Sequence, residues 1–340
     1  MILHISSVHV FDDPRIQKHL KSSKECFFMG ISESKSNKNL SFFKTNTALT
    51  RILFNLIINF NIPKNVKKIV FHDPELLIPL GLLKAIKGKN IKIYFDAHED
   101  VLKDMKQKIW LSKIIRFSLY CSFFLLFKMI LPNIDGVITV NNRLSKSYFS
   151  FNKNIYIIPN YPFESPKKNE KKISGKLRDL RYCYIGSISL NRGSNQILRI
   201  AKESSKKVEL IGKFTDQKLE SEFKSDPSWS NINYHGYLNL KDASKIIENC
   251  DVGLLLMEDT ETFRDSLPVK IFDYAKENLL IMWTGNKQSF YSDYLSRFSA
   301  LHVGETLETI TINFEDQIEF QVQNNLSDFT WQKASREFYK

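Results

Sequence analysis

Residues 264–283 read RDSLPVKIFDYAKENLLIMW: a polar loop, a short amphipathic helix and an apolar strand in immediate succession. Ser266 is of the type that caps a helix, and Pro268 suits a first turn, where its missing N–H would be orphaned anyway. The free N–H groups of a helix start and the positive end of its dipole make an anion site. Lys270 adds a cation there, Asp265 precedes the helix, and Asp273 lies on it about two turns later. Carboxylates able to grip hydroxyls, beside a phosphate-ready helix end, point to a sugar nucleotide. The same pattern also describes an ordinary amphipathic helix between two strands, so the flanking chain decides.

Outward from this stretch, strands and helices alternate in both directions. Apolar strands are expected at 182–185, 208–211, 232–234, 252–257, 279–283 and 301–303. Helices centred near Ile197, Leu219, Ile246, Phe272 and Tyr294 fall between them. A second series runs upstream, with strands at 1–6, 26–31, 68–71, 91–95, 136–140 and 155–159 and helices at 15–23, 48–60, 75–86, 110–131 and 143–149. This spacing is that of parallel, doubly wound α/β sheets. The stretch 161–178, YPFESPKKNEKKISGKLR, is polar, basic and punctuated by Pro and Gly, and reads as the linker between two Rossmann-like domains. The expected domains are 1–162 and 163–324, followed by a tail that is helical in pattern from Leu307. In open parallel sheets ligands bind outside the carboxyl ends of the strands. That gathers the loops 6–14, 72–74, 96–100, 186–193, 212–214 and 259–268.

The chain has 340 residues, enough for two cores, and its 43% apolar and 25% charged shares are those of a folded globular protein. Cys26, Cys121, Cys183 and Cys250 show neither CxxC spacing nor a paired pattern, which fits reduced core thiols of a cytosolic protein. The N-terminus lacks the basic flank of a signal peptide. A net charge of +12 asks for an anionic partner. No Arg-rich block, RNP-like strand or zinc finger points to nucleic acid. The cations gather instead beside the apolar stretch 110–131: Lys103, Lys106, Lys108, Lys113 and Arg116 precede it, with only Asp104 in opposition. Its uninterrupted apolar core, 117–127, is too short to span a bilayer and is ended by Lys128. Segment 103–131 is therefore expected to lie on an anionic membrane surface, placing the protein at the cytoplasmic face of a membrane. The alternative is a core helix with a solvated basic end.

An ordered set of motifs resembles the GT-B glycosyltransferases, in particular the retaining family 4 type. HISSVHVFDDPRIQKH (4–19), with its Asp-x-Arg-Ile, resembles that family's opening strand and loop. FHDPELLIPLGLL (71–83), YFDAHED (94–100), GVITVNNRLSKSYF (136–149) and YIIPNYP (156–162) follow. After the linker come YIGSISLNRGSNQIL (184–198), VELIGKF (208–214), INYHGYLN (232–239), NCDVGLLLM (249–257) and the opening stretch. TWQKASREFY (330–339) is similar to the family's Trp-containing last helix. The resemblance implies two Rossmann-like domains facing a cleft, acceptor on the N-terminal one and nucleotide sugar on the C-terminal one, with the tail, about 325–340, packing back on the first.

It also implies roles. Asp265 and Asp273 stand at the ends of an E-x7-E motif, both shortened: Asp273 would hold the ribose hydroxyls and Asp265 would face the donor sugar. Arg192, next to Gly193, would contact the donor phosphates, with Gly186, Lys213, Ser266, Val269 and Lys270 around them; a second clamp cation of the family is replaced by Ser187, and the family's Gly after the helix by Asn278, which after Gly best tolerates left-handed conformation. His98 would be the active-site histidine beside Glu99, with Asp265 as the other catalytic residue. His9, Asp13, Arg15, His72 and Asp73 would line the acceptor side. The implied reaction is metal-independent transfer with retention, from a UDP-sugar first and a GDP-sugar second, to a lipid-linked or polysaccharide acceptor in surface-glycan assembly. The absence of an Asp-x-Asp pair in the sequence agrees with the metal-independent class. Competing readings are a catalytically weak scaffold, motivated by the shortened acids and Ser187, and a sugar-nucleotide epimerase on the same fold. The base, sugar, linkage and oligomeric state are not encoded in any of these motifs.

Overall fold

The computed structural model describes residues 1–44, 47–107, 111–163 and 170–340. The chain divides into two compact units, Met1–Phe163 with Trp331–Lys340, and Glu164–Thr330. In the first unit the order is β1 (Ile2–Ile5), α1 (Pro14–Ser22), β2 (Cys26–Met29), α2 (Ala48–Asn61), β3 (Lys68–Phe71), α3 (Leu77–Lys87), β4 (Lys92–Ala97), α4 (Val101–Gln107), α5 (Lys113–Ile130), β5 (Gly136–Thr139), α6 (Asn142–Phe149) and β6 (Ile155–Ile157). Its six strands are all parallel, in the order β2-β1-β3-β4-β5-β6.

Side chains alternate across this sheet. Leu3, Ile5, Ile69, Phe71, Ile93, Phe95 and Val137 point to one face, where Phe54, Leu80 and Phe127 of α2, α3 and α5 close a core. Val70, Tyr94 and Ile138 point to the other. Because both faces are covered, the strands are apolar runs and not half-polar ones. That is why the strand series was legible. Helix starts follow capping chemistry: Asp13 accepts the Arg15 and Ile16 N–H groups with Pro14 at the first position, and Thr47, Ser112 and Asn141 cap α2, α5 and α6.

The second unit holds β7 (Lys171–Lys176), β8 (Tyr182–Ile185), α7 (Ser194–Glu203), β9 (Val208–Ile211), α8 (Gln217–Ser225), β10 (Ile232–Gly236), α9 (Leu240–Ile247), β11 (Val252–Leu255), α10 (Glu261–Asp265), α11 (Lys270–Lys276), β12 (Leu280–Thr284), α12 (Ser292–Leu295), β13 (Ala300–Gly304) and β14 (Gln317–Val322). Its parallel sheet runs β10-β9-β8-β11-β12-β13. The last helix, α13 (Trp331–Tyr339), belongs to the first unit. Trp331 and Phe338 pack there with Val70, Tyr94 and Ile138. The Trp331 N–H donates to Pro162 O at 2.8 Å, and its indole N–H donates to Ser22 Oγ at 2.7 Å.

Four local expectations are corrected. The second half of the supposed linker is strand β7, and the supposedly helical tail from Leu307 contains strand β14; the two pair antiparallel, Lys176 opposite Gln317. Each strand has a weak apolar pattern by itself, and Ile173 is buried because its partner Phe320 lies opposite. Cross-strand ion pairs, Lys172 to Glu319 at 2.6 Å among them, explain the polar composition. Residues 164–169 of that linker, and Lys108 and Trp110 of the basic apolar segment, lie outside the described residues. Third, Ser266 does not cap the helix after it. It closes α10, its hydroxyl donating to Phe263 O at 3.0 Å, and α11 starts at Lys270 behind Val269. Fourth, residues Lys113–Asn133 are long and apolar enough to cross a membrane by length and composition, with mean hydropathy 1.8 and only 11% of the stretch buried. Lys128 does not end the apolar helix, because its ammonium lies over the Phe124 ring at 4.9 Å.

Asn278 has φ 52°, the left-handed turn expected of it.

Candidate functional site

Each parallel sheet has one place where the strand order reverses, and crevices open there at the carboxyl ends. In the first unit this lies between β1 and β3, and the loop 6–13 meets His72 and Asp73 at it. Asp73 organises the loop. Its Oδ2 accepts from Ser6 Oγ at 2.7 Å, from Ser7 N–H at 2.8 Å and from Val8 N–H at 3.3 Å. Ser6 Oγ in turn accepts the His9 N–H at 2.6 Å. The result places His9 between two carboxylates, Nδ1 at 3.3 Å from Asp13 and Nε2 at 3.6 Å from Asp73.

The His98 ring stands edge-on to the His9 ring, 4.9 Å away, and its buried Nδ1 has no hydrogen-bond partner. The hydrogen bond to Asp13 raises the His9 pKa, against the opposing effect of burial. Burial lowers that of His98 to about 4, and Arg15 and His9 add to the effect. For Asp13, burial opposes ionisation, yet the bond and charge of His9 and two backbone N–H groups hold it at about 2. The pKa values of two imidazoles in contact are thus pushed in opposite directions, the arrangement that sets an acid apart from a neutral partner.

Behind the crevice is a polar ring that joins the sheet to α1 and α13, buried except for Tyr339, which is half-buried. Asp96 is held bidentately by Arg15, Nη2 to Oδ1 at 2.6 Å and Nε to Oδ2 at 2.8 Å. Its Oδ2 also meets His72 Nδ1 at 2.9 Å and His19 Nε2 at 3.0 Å. His72 Nε2 faces His4 Nδ1 at 3.2 Å, His4 Nε2 faces the Tyr339 hydroxyl at 3.2 Å, and that hydroxyl meets His19 Nδ1 at 2.5 Å. Five links close the circle; with every imidazole neutral, the three rings and the phenol would bring four protons to them. Asp96 requires both its imidazoles to donate, so Tyr339 donates to His19. His4 is then left with one N–H for two neighbours, at the two longest links.

Ligand-type atoms of His19, His72 and Asp96 lie within 4.8 Å of one another. The Arg15 guanidinium on the same carboxylate makes this a hydrogen-bonded ion pair, unsuited to a cation. Arg15 and His72 are therefore placed otherwise than expected: both are buried and committed to Asp96. Glu99 is exposed, and its backbone carbonyl accepts the Tyr148 hydroxyl at 3.0 Å.

In the second unit the order reverses between β8 and β11, which pair only at Tyr182 with Val252 and Cys183 with Gly253. Beyond that, Tyr274 of α11 bridges them, its hydroxyl donating to Leu254 O and accepting the Ile185 N–H, both at 3.1 Å. Gly186 (φ 127°) and Gly212 (φ 146°) follow at the carboxyl edge. They touch so closely that a Cβ on Gly212 would lie 1.8 Å from Gly186 O. Lys270 reaches into this corner: its Nζ lies 3.8 Å from the Tyr184 ring centre and 3.6 Å from where a Gly186 Cβ would be.

The Lys270 ammonium is shut off from solvent without a hydrogen-bond acceptor, while its stem is half-buried. Burial, and then the charge of Arg192, lower its pKa well below the usual lysine value, and Asp273 works against them. Arg192 ends the turn before Gly193 with its guanidinium 5.9 Å from the Phe263 ring centre, and Lys213 is exposed over Tyr237. Asp265 ends α10 and Asp273 lies in the first turn of α11, both half-buried. Gly186, Arg192, Val269, Lys270 and Asp273 are thus brought together.

Sequence reasoning missed Ser6, His4, His19, Tyr184, Tyr274 and Tyr339. Only His19 left a trace, four residues after Arg15 on the same helix face. A surface recess of about 230 Å³, lined by Arg178, Arg199 and Phe314 among others, lies before β8, away from the carboxyl edge.

The chain is thus built of two doubly wound α/β units, each with a polar crevice at the switch point of its sheet. No family model matches the sequence, and no curated protein matches it. Among solved structures the chain is similar to WaaG, a glycosyltransferase involved in lipopolysaccharide biosynthesis, with TM-score 0.58 and 10% identity over 91% of this chain and 88% of that one. A UDP-forming trehalose-phosphate synthase from Burkholderia xenovorans matches with TM-score 0.56 and 10% identity, covering 91% and 88%. A UDP-N-acetylglucosamine 2-epimerase matches with TM-score 0.50 and 10% identity, covering 91% and 84%. The chain has the GT-B fold.

Proposed function

We propose that the protein is a nucleotide-sugar-dependent glycosyltransferase that works with retention and without a metal. It would build a surface glycan on a lipid-linked or polysaccharide acceptor at the cytoplasmic face of a membrane. The observation that carries the reading is Lys270, a cation buried without an acceptor beside the bare backbone of Gly186. Such a group is costly in the free protein, and a diphosphate would supply the missing anion.

Lys270, Arg192 and Lys213 would neutralise that diphosphate, Gly186 and Val269 would let it approach the main chain, and Asp273 would take the ribose hydroxyls. Asp265, beside Ser266, would face the donor sugar. As the sugar–phosphate bond breaks, negative charge grows on the leaving diphosphate, and preset cations stabilise it without reorganisation. They do what a divalent ion would otherwise do. In the first unit, His98 is neutral and sheltered, suited to contact the transferring sugar. His9, Asp13 and Asp73 form the polar rim for an acceptor hydroxyl. The UDP-forming neighbour on the same fold supports a UDP-sugar as first donor; a GDP-sugar is the second candidate.

Calorimetry with UDP-, GDP-, ADP- and CMP-sugars tests the reading. Binding of one class is expected, unaltered by EDTA, and binding of none at millimolar concentration would overturn it. NMR of the product should report an unchanged anomeric configuration. The epimerase on this fold motivates one rival: inversion of the sugar of UDP-N-acetylglucosamine without acceptor would favour it. Tight donor binding with no transfer to any acceptor would favour a scaffold.

A further inference from the structure

The helices on one face of the first unit are apolar on both sides. In α5, Ile114 (81% exposed), Phe117, Leu125 and Met129 form a solvent-facing stripe at helical spacing, while Phe127 faces the core. The stripe on α5 is not alone. On α2, Leu49, Ile52, Leu56 and Phe60 (89% exposed) repeat every three or four residues, opposite buried Phe54 and Ile58. On α3, Ile78, Leu82 and Ile86 do the same, opposite Leu80 and Leu83.

These helices are neighbours. Asn59 of α2 donates to Pro79 O of α3 at 2.7 Å. Gly81 of α3 receives Ile130 of α5 so closely that a Cβ there would lie 2.8 Å from its Cγ2. Fourteen of the twenty-two exposed large hydrophobic side chains among the described residues lie on these three helices. An apolar surface of that extent on a soluble protein marks an interaction site.

Its charge selects the partner. None of the three helices contains Asp or Glu, whereas Arg51, Lys84, Lys87, Lys113, Arg116 and Lys128 lie on them. Arg51 and Lys84 are paired with Glu75 and Asp135, acids outside the helices. Solvated helix faces mix both signs; a face of Ile, Leu and Phe with cations alone fits the interface of an anionic bilayer. A second copy of the same surface would repeat its positive charge.

We propose that α2, α3 and α5 together form a monotopic docking surface that lies in the headgroup region of an anionic membrane. The inference rests on the membrane-associated reading above and extends it from one helix to three. Phe127 near the end of α5 and Leu131 just after it are anchored in the core, so the three helices enter together and none spans.

Co-sedimentation with vesicles of phosphatidylcholine and 30% phosphatidylglycerol tests it, with pure phosphatidylcholine and 0.5 M NaCl as controls. The wild-type chain should bind the anionic vesicles at 0.1 M NaCl and lose at least tenfold in either control. Phe60→Glu on α2, Leu82→Glu on α3 and Phe117→Glu on α5 should each lower partitioning at least tenfold, with donor binding by calorimetry unchanged as the check on folding. Loss for Phe117→Glu alone would overturn the three-helix surface and leave the single-helix reading standing. No vesicle binding by the wild type would overturn both, and donor binding would still judge the transferase reading separately. A concentration-dependent dimer abolished by the same substitutions, without vesicle binding, would assign the surface to a second copy.

Discussion

Lys270 and the His9–His98 pair put opposite demands on the free protein and on its complexes. Lys270 places its amine where no acceptor relieves it, and burial lowers its pKa well below the usual lysine value, so Lys270→Met, of similar length, should stabilise the ligand-free protein by about 1–2 kcal/mol. The Tyr184 ring under the ammonium offsets part of that gain. The same change should weaken donor binding at least tenfold. Thermal unfolding with and without donor reads both effects, and a variant less stable yet still binding would remove Lys270 from the diphosphate site. The imidazole pair makes a titration prediction. His9, raised by Asp13, should titrate above 6.5 in the folded protein, and His98 near 4. For His9 the stabilisation is full below pH 6.5 and is lost as pH rises through its folded value. NMR of the two rings checks the order; if His98 titrates above His9, the assignment of roles is wrong. Little of this was visible in the sequence. Lys270 and His98 could be named as candidates, but that one lacks an acceptor and the other is dried by its surroundings depends on groups tens of residues away.

At the scale of elements, legibility followed how far an element depends on itself. Parallel strands buried on both faces carry their own signal, and so do helices with caps such as Asp13 and Thr47. Strands β7 and β14 do not: one reads KKISGK and the other QIEFQV, and each becomes a strand only when Ile173 finds Phe320 and Lys172 finds Glu319. The loop before α11 hid α10 for a related reason, since Ser266 is as suited to closing one helix as to opening the next. Asn278 is the case where local chemistry sufficed. It ends α11 with φ 52°, and its Oδ1 accepts the Asn324 N–H at 3.0 Å. Asn278→Ala should therefore cost about 2–4 kcal/mol, roughly 1–2 from left-handed strain and the rest from an orphaned buried N–H. Asn278→Gly should relieve only the strain. Chemical denaturation of the three proteins separates the contributions, and equal stability of the Ala and Gly variants would refute the backbone argument.

The first unit is closed by a helix that arrives from the far end of the chain, and the closure is made through a ring of titratable groups. His4 on β1, His72 after β3, Asp96 on β4, His19 on α1 and Tyr339 on α13 come from five segments. No local pattern could have revealed them as one object. Burial holds His4 well below 6.5, as do the neighbouring His19, His72 and Lys68, with only Asp96 favouring its charge. Burial likewise brings His19 to about 4, against the attraction of Asp96. In the unfolded chain both return to about 6.5. Between pH 6.5 and 4 the unfolded state therefore binds more protons, and stability must fall as pH falls. For His19 this amounts to about 2 kcal/mol between pH 6.5 and 5. Acidification should thus release α13 first, uncovering Val70, Tyr94 and Ile138 while the parallel sheet persists. Hydrogen exchange at pH 7.5 and 5.0 is expected to show protection lost earliest in residues 331–339. In His4→Asn, less stable at pH 7.5, the further loss on going to pH 5.0 should be smaller than in the wild type, because one depressed imidazole is gone. Equal losses in the two proteins, read from urea midpoints at each pH, would show that the ring is not the acid-labile clasp of the first unit.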